Sequence, residues 1–344
     1  MRNSEAANTV PPATGTGNGT ATKTAAVIYN PVKVELDVLR TVLAREELAS
    51  GWGESVWIAT SEDDPGQGAA SKATAANVSM VIVAGGDGTV RAVAEGLQQS
   101  PIPVAILPSG TGNLLARNLK LTLDDPETSI RIAFSGKDRS VDLGLIDIER
   151  EDDTTSNHAF LVMAGLGLDA KMIANTDDDL KKRAGWLAYA KALSITLRDK
   201  DELRCQYSLD GGSARPLRAH TIIVGNCGSL PLKIVLLPDA SVDDGEFEVV
   251  VMRPKGFVGW VQIFVKVLWE NGVLNRTKAG RSLMTKQVSA LRYVKATELK
   301  VELTRPAKIE LDGDGFGTAK GFTARIIPGG LTVRVPTDAE TQGV

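Results

Sequence analysis

A glycine-rich turn between an apolar run and a helix-forming segment is the feature that most constrains the fold of this chain. Residues 85–89 have the sequence Gly-Gly-Asp-Gly-Thr and follow the apolar run Met80–Ala84. Because glycine has no Cβ, its backbone N–H groups can approach an anion closely, and the N-terminus of a following helix adds partial positive charge. The pattern predicts a strand, a turn and a helix from Val90, with a phosphate group held at the turn.

A second turn of the same kind follows the next apolar run, Pro103–Leu107. It has the sequence Ser-Gly-Thr-Gly-Asn at residues 109–113, and a helix-forming segment comes after it. Two earlier apolar runs, Ala26–Tyr29 and Ser55–Ala59, complete an alternation of short strands and helical stretches. This alternation predicts a parallel sheet covered by helices on both faces, that is, a three-layer αβα domain.

Polar or glycine-rich loops follow all four predicted strands. They are Asn30-Pro31, Thr60-Ser61 and the two glycine turns. Ligands of open parallel sheets bind beyond the carboxyl ends of the strands. The sequence therefore predicts that these four loops converge on one edge of the sheet and form a binding site there.

Chain length and texture indicate a second domain. The chain has 344 residues, more than the roughly 250–300 at which single cores stop growing. After Ser140 the sequence changes to β-branched runs with turn signals, which predicts a β-rich, sandwich-like domain. The predicted segments are a disordered tail (1–24), an α/β domain (25–138), a β-rich domain (139–336) with helical insertions at 178–197 and 256–271, and a tail (337–344).

Composition excludes several classes of protein. A formal net charge of −3 gives no general attraction to nucleic acid, and the lack of an apolar run of about 18 residues argues against a membrane span. Cys205 and Cys227 are too few for a disulfide framework and are not spaced as a zinc site. His158 and His220 have no matching serine or cysteine motif. We therefore expect a cytoplasmic protein that binds no nucleic acid and has no catalytic triad.

The two glycine turns, with Leu115-Ala116-Arg117 after the second, resemble the diacylglycerol kinase catalytic-domain family, which includes bacterial diacylglycerol and sphingoid lipid kinases. Asp243-Asp244-Gly245 and Leu311–Asp314 resemble motifs of the family's second domain, so the resemblance covers about residues 24–336. The first turn alone is shared with NAD kinases and, more loosely, with phosphofructokinases. The fold implied for the first domain is theirs.

The resemblance implies ATP-dependent phosphorylation of a lipid hydroxyl, above all that of diacylglycerol to give phosphatidic acid. Asp314 would be the general base, and Asp244, with the carbonyls around Ser241 and Glu246, would hold a structural magnesium ion. The residues predicted to bind ATP are Asn30, Pro31, Lys33, Thr60, Gly85, Gly86, Asp87, Gly88, Thr89, Val90, Gly110, Thr111, Gly112 and Asn113.

The carboxylates also have structural interpretations. Asp87 would repel a phosphate unless Mg²⁺ lay between them, which predicts a catalytic role beside the ion; alternatively, Asp87 stabilises the glycine turn through its own backbone. Asp314 follows Asp-Gly, a strong hairpin signal, so it is either the base or a turn carboxylate. Asp243-Asp244 is either a cation site or an ordinary turn.

The chain departs from the family pattern at three places. Val32 and Lys33 follow Asn30-Pro31, where the family has a small residue and a glycine, and Lys33 is expected to contact a phosphate directly. Ala92 stands where a glutamate is common, with Glu95 one turn further on, and Asp314 replaces the usual glutamate.

The partner implied by the resemblance is a lipid substrate at a membrane surface, so we expect peripheral membrane contact and leave a homodimer open. Lys181-Lys182-Arg183 with Trp186 and Tyr189 would meet lipid headgroups or form a solvated helix face; the apolar stretch 257–269 would face lipid or pack in the core. Two other functions stay open. One is an NAD kinase; the other, suggested by Ala92 and Asp314, is a catalytically silent lipid- or nucleotide-binding regulator.

Overall fold

A computed structural model describes residues 22–98, 100–167, 202–230, 234–235, 237, 239–254 and 291–337. The predicted helical insertions at 178–197 and 256–271 lie outside the described residues, as do most of the two predicted tails. In the part of the chain that is described, no helix is long and apolar enough to cross a membrane.

Five helices and sixteen strands make up the described structure. The helices are α1 (Leu36–Ser50), α2 (Gln67–Ala75), α3 (Asp87–Gly96), α4 (Leu114–Asn118) and α5 (Pro126–Ser135). The strands are β1 (Ala25–Tyr29), β2 (Val56–Ala59), β3 (Met80–Gly85), β4 (Val104–Pro108), β5 (Lys137–Glu149), β6 (Thr155–Phe160), β7 (Met163–Leu166), β8 (Leu203–Leu209), β9 (Arg215–Ala219), β10 (Thr221–Gly225), β11 (Ser229–Leu230), β12 (Ile234–Val235), β13 (Phe247–Met252), β14 (Leu291–Ala296), β15 (Glu298–Leu311) and β16 (Asp314–Val335).

The first domain is the predicted three-layer sandwich. Its strands pair in parallel in the order β4-β3-β1-β2. Because successive side chains of a strand point to opposite faces, Val81 and Val83 pack under α2, α3 and α4, whereas Met80 and Ile82 pack under α1 and α5. Burial on both faces explains why β3 is a continuous apolar run. The predicted fold of this domain is confirmed.

The second part of the chain is β-rich, as predicted, and its sheet is continuous with the first. Fourteen strands form one sheet, in which β16 lies between β15 and β4. The sequence pattern places residues 331–335 in the second domain, but Val333 pairs with Val104 of β4 in the first. The predicted boundary between residues 138 and 139 falls inside β5, which pairs along most of its length with β16.

Two runs predicted as single strands are each divided. The run 160–164 is split between β6 and β7 by a bend at Leu161 and Val162, and the run 217–224 is split between β9 and β10 at His220. In the first case the backbone N–H groups of the bend donate to a side chain from the turn between β15 and β16 rather than to a neighbouring strand. That side chain belongs to the candidate site.

Candidate active site

The four predicted loops do lie on one edge of the parallel sheet. The backbone N–H of Asn30 donates to Ala84 O (3.0 Å), that of Thr60 to Tyr29 O (2.9 Å), and that of Ser109 to Gly85 O (2.9 Å). These bonds continue the parallel ladders for one residue beyond the strands. Each loop is thereby held against the next at the carboxyl ends of β1 to β4.

The two glycine turns touch each other through their backbones. A Cβ added to Gly110 would lie 2.7 Å from the Cα of Gly86, a distance that side-chain movement cannot relieve. The side chain of Asn113 fixes the second turn, because it accepts from the N–H of Gly110 (3.0 Å) and donates to its carbonyl (2.9 Å). Asn113, predicted to bind ATP, thus shapes the loop with its side chain.

Asp87 joins the two turns. It is the first residue of α3, which therefore begins before Val90, the predicted start; an acidic residue is favoured at that end of a helix. Its Oδ1 accepts from the N–H of Leu114 at 2.5 Å, across the second turn. Burial raises the pKa of Asp87, and the negative charge of Asp314 adds to the increase although backbone bonds oppose it. Asp87 is thus a confined carboxylate at the site where phosphate is expected.

Lys33 reaches the first glycine turn from the loop after β1. Asn30 forms a local turn there: its Oδ1 accepts from the N–H of Val32 (3.0 Å), and its carbonyl accepts from the N–H of Lys33 (3.0 Å). The Nζ of Lys33 lies 3.2 Å from the position a Cβ on Gly86 would take. An ammonium group is therefore beside the backbone predicted to cradle a phosphate.

The second domain contributes a hairpin between β15 and β16. Asp312 and Gly313 turn the chain with positive φ angles of 49° and 91°. The buried carboxylate of Asp312 accepts three backbone N–H groups, from Leu161 (2.9 Å), Val162 (2.8 Å) and Met163 (2.9 Å). Burial raises its pKa to about 6 even though these bonds favour the charged form. Asp312 thus anchors the hairpin to the bend between β6 and β7.

Asp314 follows this anchor and faces the first domain. A Cβ on Gly88, in the first turn of α3, would lie 2.8 Å from Asp314 Oδ2. The Asp314 side chain is 56% exposed, so it is accessible to a substrate. The structure therefore brings Asp87 and Asp314, predicted to be catalytic from motifs far apart in sequence, to the same place.

The residues predicted to hold a structural magnesium ion lie elsewhere, in the loop before β13. Asp244 Oδ2 is 2.6 Å from the Nζ of Lys295, so that oxygen already has a cationic partner. The Ser241 hydroxyl donates to Asp243 (2.7 Å), and Glu246 donates its N–H to Asp244 Oδ1 (3.2 Å). No three acidic, histidine or cysteine side chains gather as a metal site within the described ranges. The magnesium assignment stays a prediction.

Sequence reasoning missed a partly buried ionic cluster between the domains. Arg91 and Glu95 of α3 lie against His158 of β6 and Asp314 of β16. The signal was present, because Asp87, Arg91 and Glu95 are spaced four residues apart and so share one face of a helix. An arginine in the otherwise apolar interior of α3 indicates a buried partner.

Two family models match the chain. The diacylglycerol kinase catalytic domain matches residues 24–146, and the YegS C-terminal NAD kinase beta sandwich-like domain matches residues 162–335. The first match holds both glycine turns, and the second holds Asp314.

Similar proteins give the same assignment. A "Probable lipid kinase YegS-like" protein of Pseudomonas syringae pv. syringae is 30% identical, over 85% of this chain and 87% of that protein. A "Diacylglycerol kinase" of Bacillus subtilis is 25% identical, over 87% and 92% respectively. The crystal structure of a diacylglycerol kinase from Bacillus anthracis covers 93% of this chain and 99% of that one, with 19% identity and a TM-score of 0.63, which supports the fold.

Fold and site together define a two-domain protein in which a β-rich domain presents a carboxylate to the glycine turns of an α/β nucleotide-type domain. The chain belongs to the diacylglycerol kinase family, in the YegS-like group.

Proposed function

We propose that this protein is an ATP-dependent lipid kinase that transfers the γ-phosphoryl group to a lipid hydroxyl, with diacylglycerol as the acceptor and phosphatidic acid as the product. The observation that carries the proposal is the position of Asp314, a second-domain carboxylate over the first turn of α3. A base at that point lies beside the predicted phosphate site and is open to an incoming hydroxyl. The names of the relatives support the acceptor class.

The first domain supplies binding and charge stabilisation. Phosphoryl transfer spreads negative charge over the transferring oxygens, so catalysis depends on positioning and on electrostatic stabilisation. The backbone N–H groups of the glycine turns, the N-terminus of α3 and the ammonium of Lys33 all present positive charge at one edge of the sheet. The contact between Gly86 and Gly110 holds the two turns side by side, so that both can bind one phosphate chain.

The second domain supplies the base. Asp314 accepts the proton of the acceptor hydroxyl as its oxygen attacks the γ-phosphorus, and ADP leaves. Asp87 suits a magnesium ligand, because Mg²⁺ takes one or two carboxylates together with phosphate oxygens, and the negative charge of Asp314 acts on Asp87. When bound, the ion would neutralise charge on the transferring phosphate.

The acceptor of such an enzyme resides in a bilayer. The proposal therefore includes a cytoplasmic protein that touches the membrane surface peripherally. Phosphoryl transfer to a lipid headgroup needs only the hydroxyl to reach Asp314, whose side chain is accessible.

One assay with identification of the product tests the function. Purified full-length protein is incubated with ATP and Mg²⁺ and with vesicles containing diacylglycerol, sphingosine or ceramide, or with soluble NAD. We expect phosphatidic acid from diacylglycerol. Phosphorylated sphingosine or ceramide would show that the acceptor is a sphingolipid rather than diacylglycerol. Formation of NADP would favour the NAD kinase. ATP binding with no product from any acceptor would favour the silent regulator.

Replacing Lys33 by methionine should weaken ATP binding. Methionine keeps an unbranched apolar side chain of similar size but removes the ammonium beside Gly86. Loss of one charge-assisted contact of about 1.5–3 kcal/mol predicts a KM for ATP at least tenfold higher. Steady-state kinetics at saturating lipid measure it. Lys72→Met, an exposed position in α2, is the matched control, and an unchanged KM for ATP in Lys33→Met would remove Lys33 from the nucleotide site.

A further inference from the structure

Arg91 connects the two domains beside the candidate base. It lies on α3 one turn after Asp87, and only 7% of its side chain is exposed. Its Nη1 is 3.9 Å from Glu95 Oε2, and its Nη2 is 3.7 Å from Asp314 Oδ2. A buried guanidinium needs compensating negative charge. One of these two carboxylates comes from the helix of Arg91 and the other from the second domain.

Phe316 of the hairpin fixes the guanidinium from another side. The Cζ of Arg91 lies 4.5 Å from the centre of the Phe316 ring, within the range of a cation–π contact. The same ring meets His158 edge to face at 4.7 Å between centroids. The hairpin that bears Asp314 thus contacts Arg91 twice, through a carboxylate and through an aromatic face.

Glu95 is the fixed end of this arrangement. Its Oε2 accepts the N–H of Ala159 (2.8 Å), and its Oε1 accepts Nε2 of Gln67 (3.1 Å). Burial opposes ionisation of Glu95, but its contacts with His158, Ala159 and Gln67 outweigh this and lower its pKa. Glu95 is therefore an anion tied to both domains, and it gives Arg91 a stationary partner.

We propose that Arg91 is a positioning residue for Asp314: held by Glu95 and Phe316, its guanidinium keeps the Asp314 carboxylate over the first turn of α3. The inference rests on the proposed function, which makes Asp314 the base. Without Arg91 two carboxylates, Asp87 and Asp314, would repel each other with no fixed cation beside them, since the charge of Asp314 already acts on Asp87. The start of β16, beyond the Asp312 anchor, would then loosen, and the Asp314 side chain would turn away from the predicted phosphate site.

The test combines kinetics with a measurement of hairpin order. Arg91→Gln should lower kcat about 10- to 100-fold, the effect of misplacing a catalytic group by about 1 Å, and leave the KM for ATP within about twofold. Arg91→Lys keeps the charge but loses the planar stacking on Phe316, so it should recover part of kcat. Hydrogen–deuterium exchange of the peptide covering residues 311–319 should be faster in Arg91→Gln than in the unaltered protein. Arg40→Gln, an exposed arginine over Trp57, is the matched control.

A double substitution decides whether Arg91 acts through Asp314. If it does, Arg91→Gln has no further effect on kcat in the Asp314→Asn background. Reductions that multiply, or unchanged exchange in the hairpin, would overturn the proposal. If Arg91→Gln does not fold, Phe316→Leu tests the same contact from the accessible hairpin. Faster exchange in the hairpin of a protein that phosphorylates no lipid would reject the lipid kinase function alone and retain the Arg91 contact.

Discussion

Asp314→Asn is expected to keep ATP binding and to lose lipid phosphorylation by about 10²- to 10⁴-fold, the usual contribution of a general base. Asparagine has the same shape but cannot accept the proton of the acceptor hydroxyl. The hairpin should keep its place, because its anchor is the carboxylate of Asp312 on the bend at Leu161–Met163. Affinity for ATP is expected to depend on the glycine turns of the other domain. The loss should therefore appear in kcat with little change in the KM for ATP.

Two further variants sharpen this expectation. Asp314→Glu introduces the glutamate that is usual at this position in the family. Because the carboxylate is kept, this variant should retain much of the activity. Asp153 lies in the turn between β5 and β6, where its exposed carboxylate pairs with Lys320 of β16. Asp153→Asn removes this carboxylate and should leave turnover unchanged. Turnover of Asp314→Asn within a few-fold of the unaltered protein would show that Asp314 is a turn residue and that another group takes the proton.

Local patterns were sufficient for the first domain. Strands β1, β3 and β4 are buried on both faces, so each is a continuous apolar run, and each ends in a polar or glycine turn. The return of β16 to this domain was not predictable in the same way. Residues 331–335 have the β-branched texture of any strand, and nothing in it specifies that Val333 pairs with Val104 rather than with a second-domain strand.

The residues of the candidate site likewise fall into those with a local sequence signal and those whose role depends on tertiary packing. Asp87 and Asp314 carry sequence signals because both lie in glycine-containing turns, and the structure places them together. The roles of Arg91 and Asp312 depend on partners from other elements. Arg91 gains the carboxylate of Asp314 only when the hairpin packs on α3, and Asp312 meets its three N–H donors only when β7 lies beside β15. A single sequence does not show that the hairpin packs on α3 or that β7 lies beside β15.

Asp87→Asn is expected to abolish most activity while stabilising the fold. Asparagine retains Oδ1, so the bond from the N–H of Leu114 that joins the two glycine turns survives. What is lost is a negative charge beside the predicted phosphate site and the candidate ligand for Mg²⁺. Removal of one such electrostatic group costs about 10²- to 10³-fold in kcat. Retention of ATP binding in a fluorescence titration would show that the turns themselves are intact.

The stability of Asp87→Asn separates its role in the site from its role in the turn. Because burial raises the pKa of Asp87, the folded state binds its proton more tightly than the unfolded chain does, and ionisation of this group destabilises the folded protein. The neutral variant should therefore have a higher unfolding temperature at pH 7. The difference should vanish below about pH 4, where both states are protonated. Asp153→Asn should show no such change. A lower unfolding temperature for Asp87→Asn at pH 7 would mean that the charge itself supports the turn, as the structural interpretation of this residue requires.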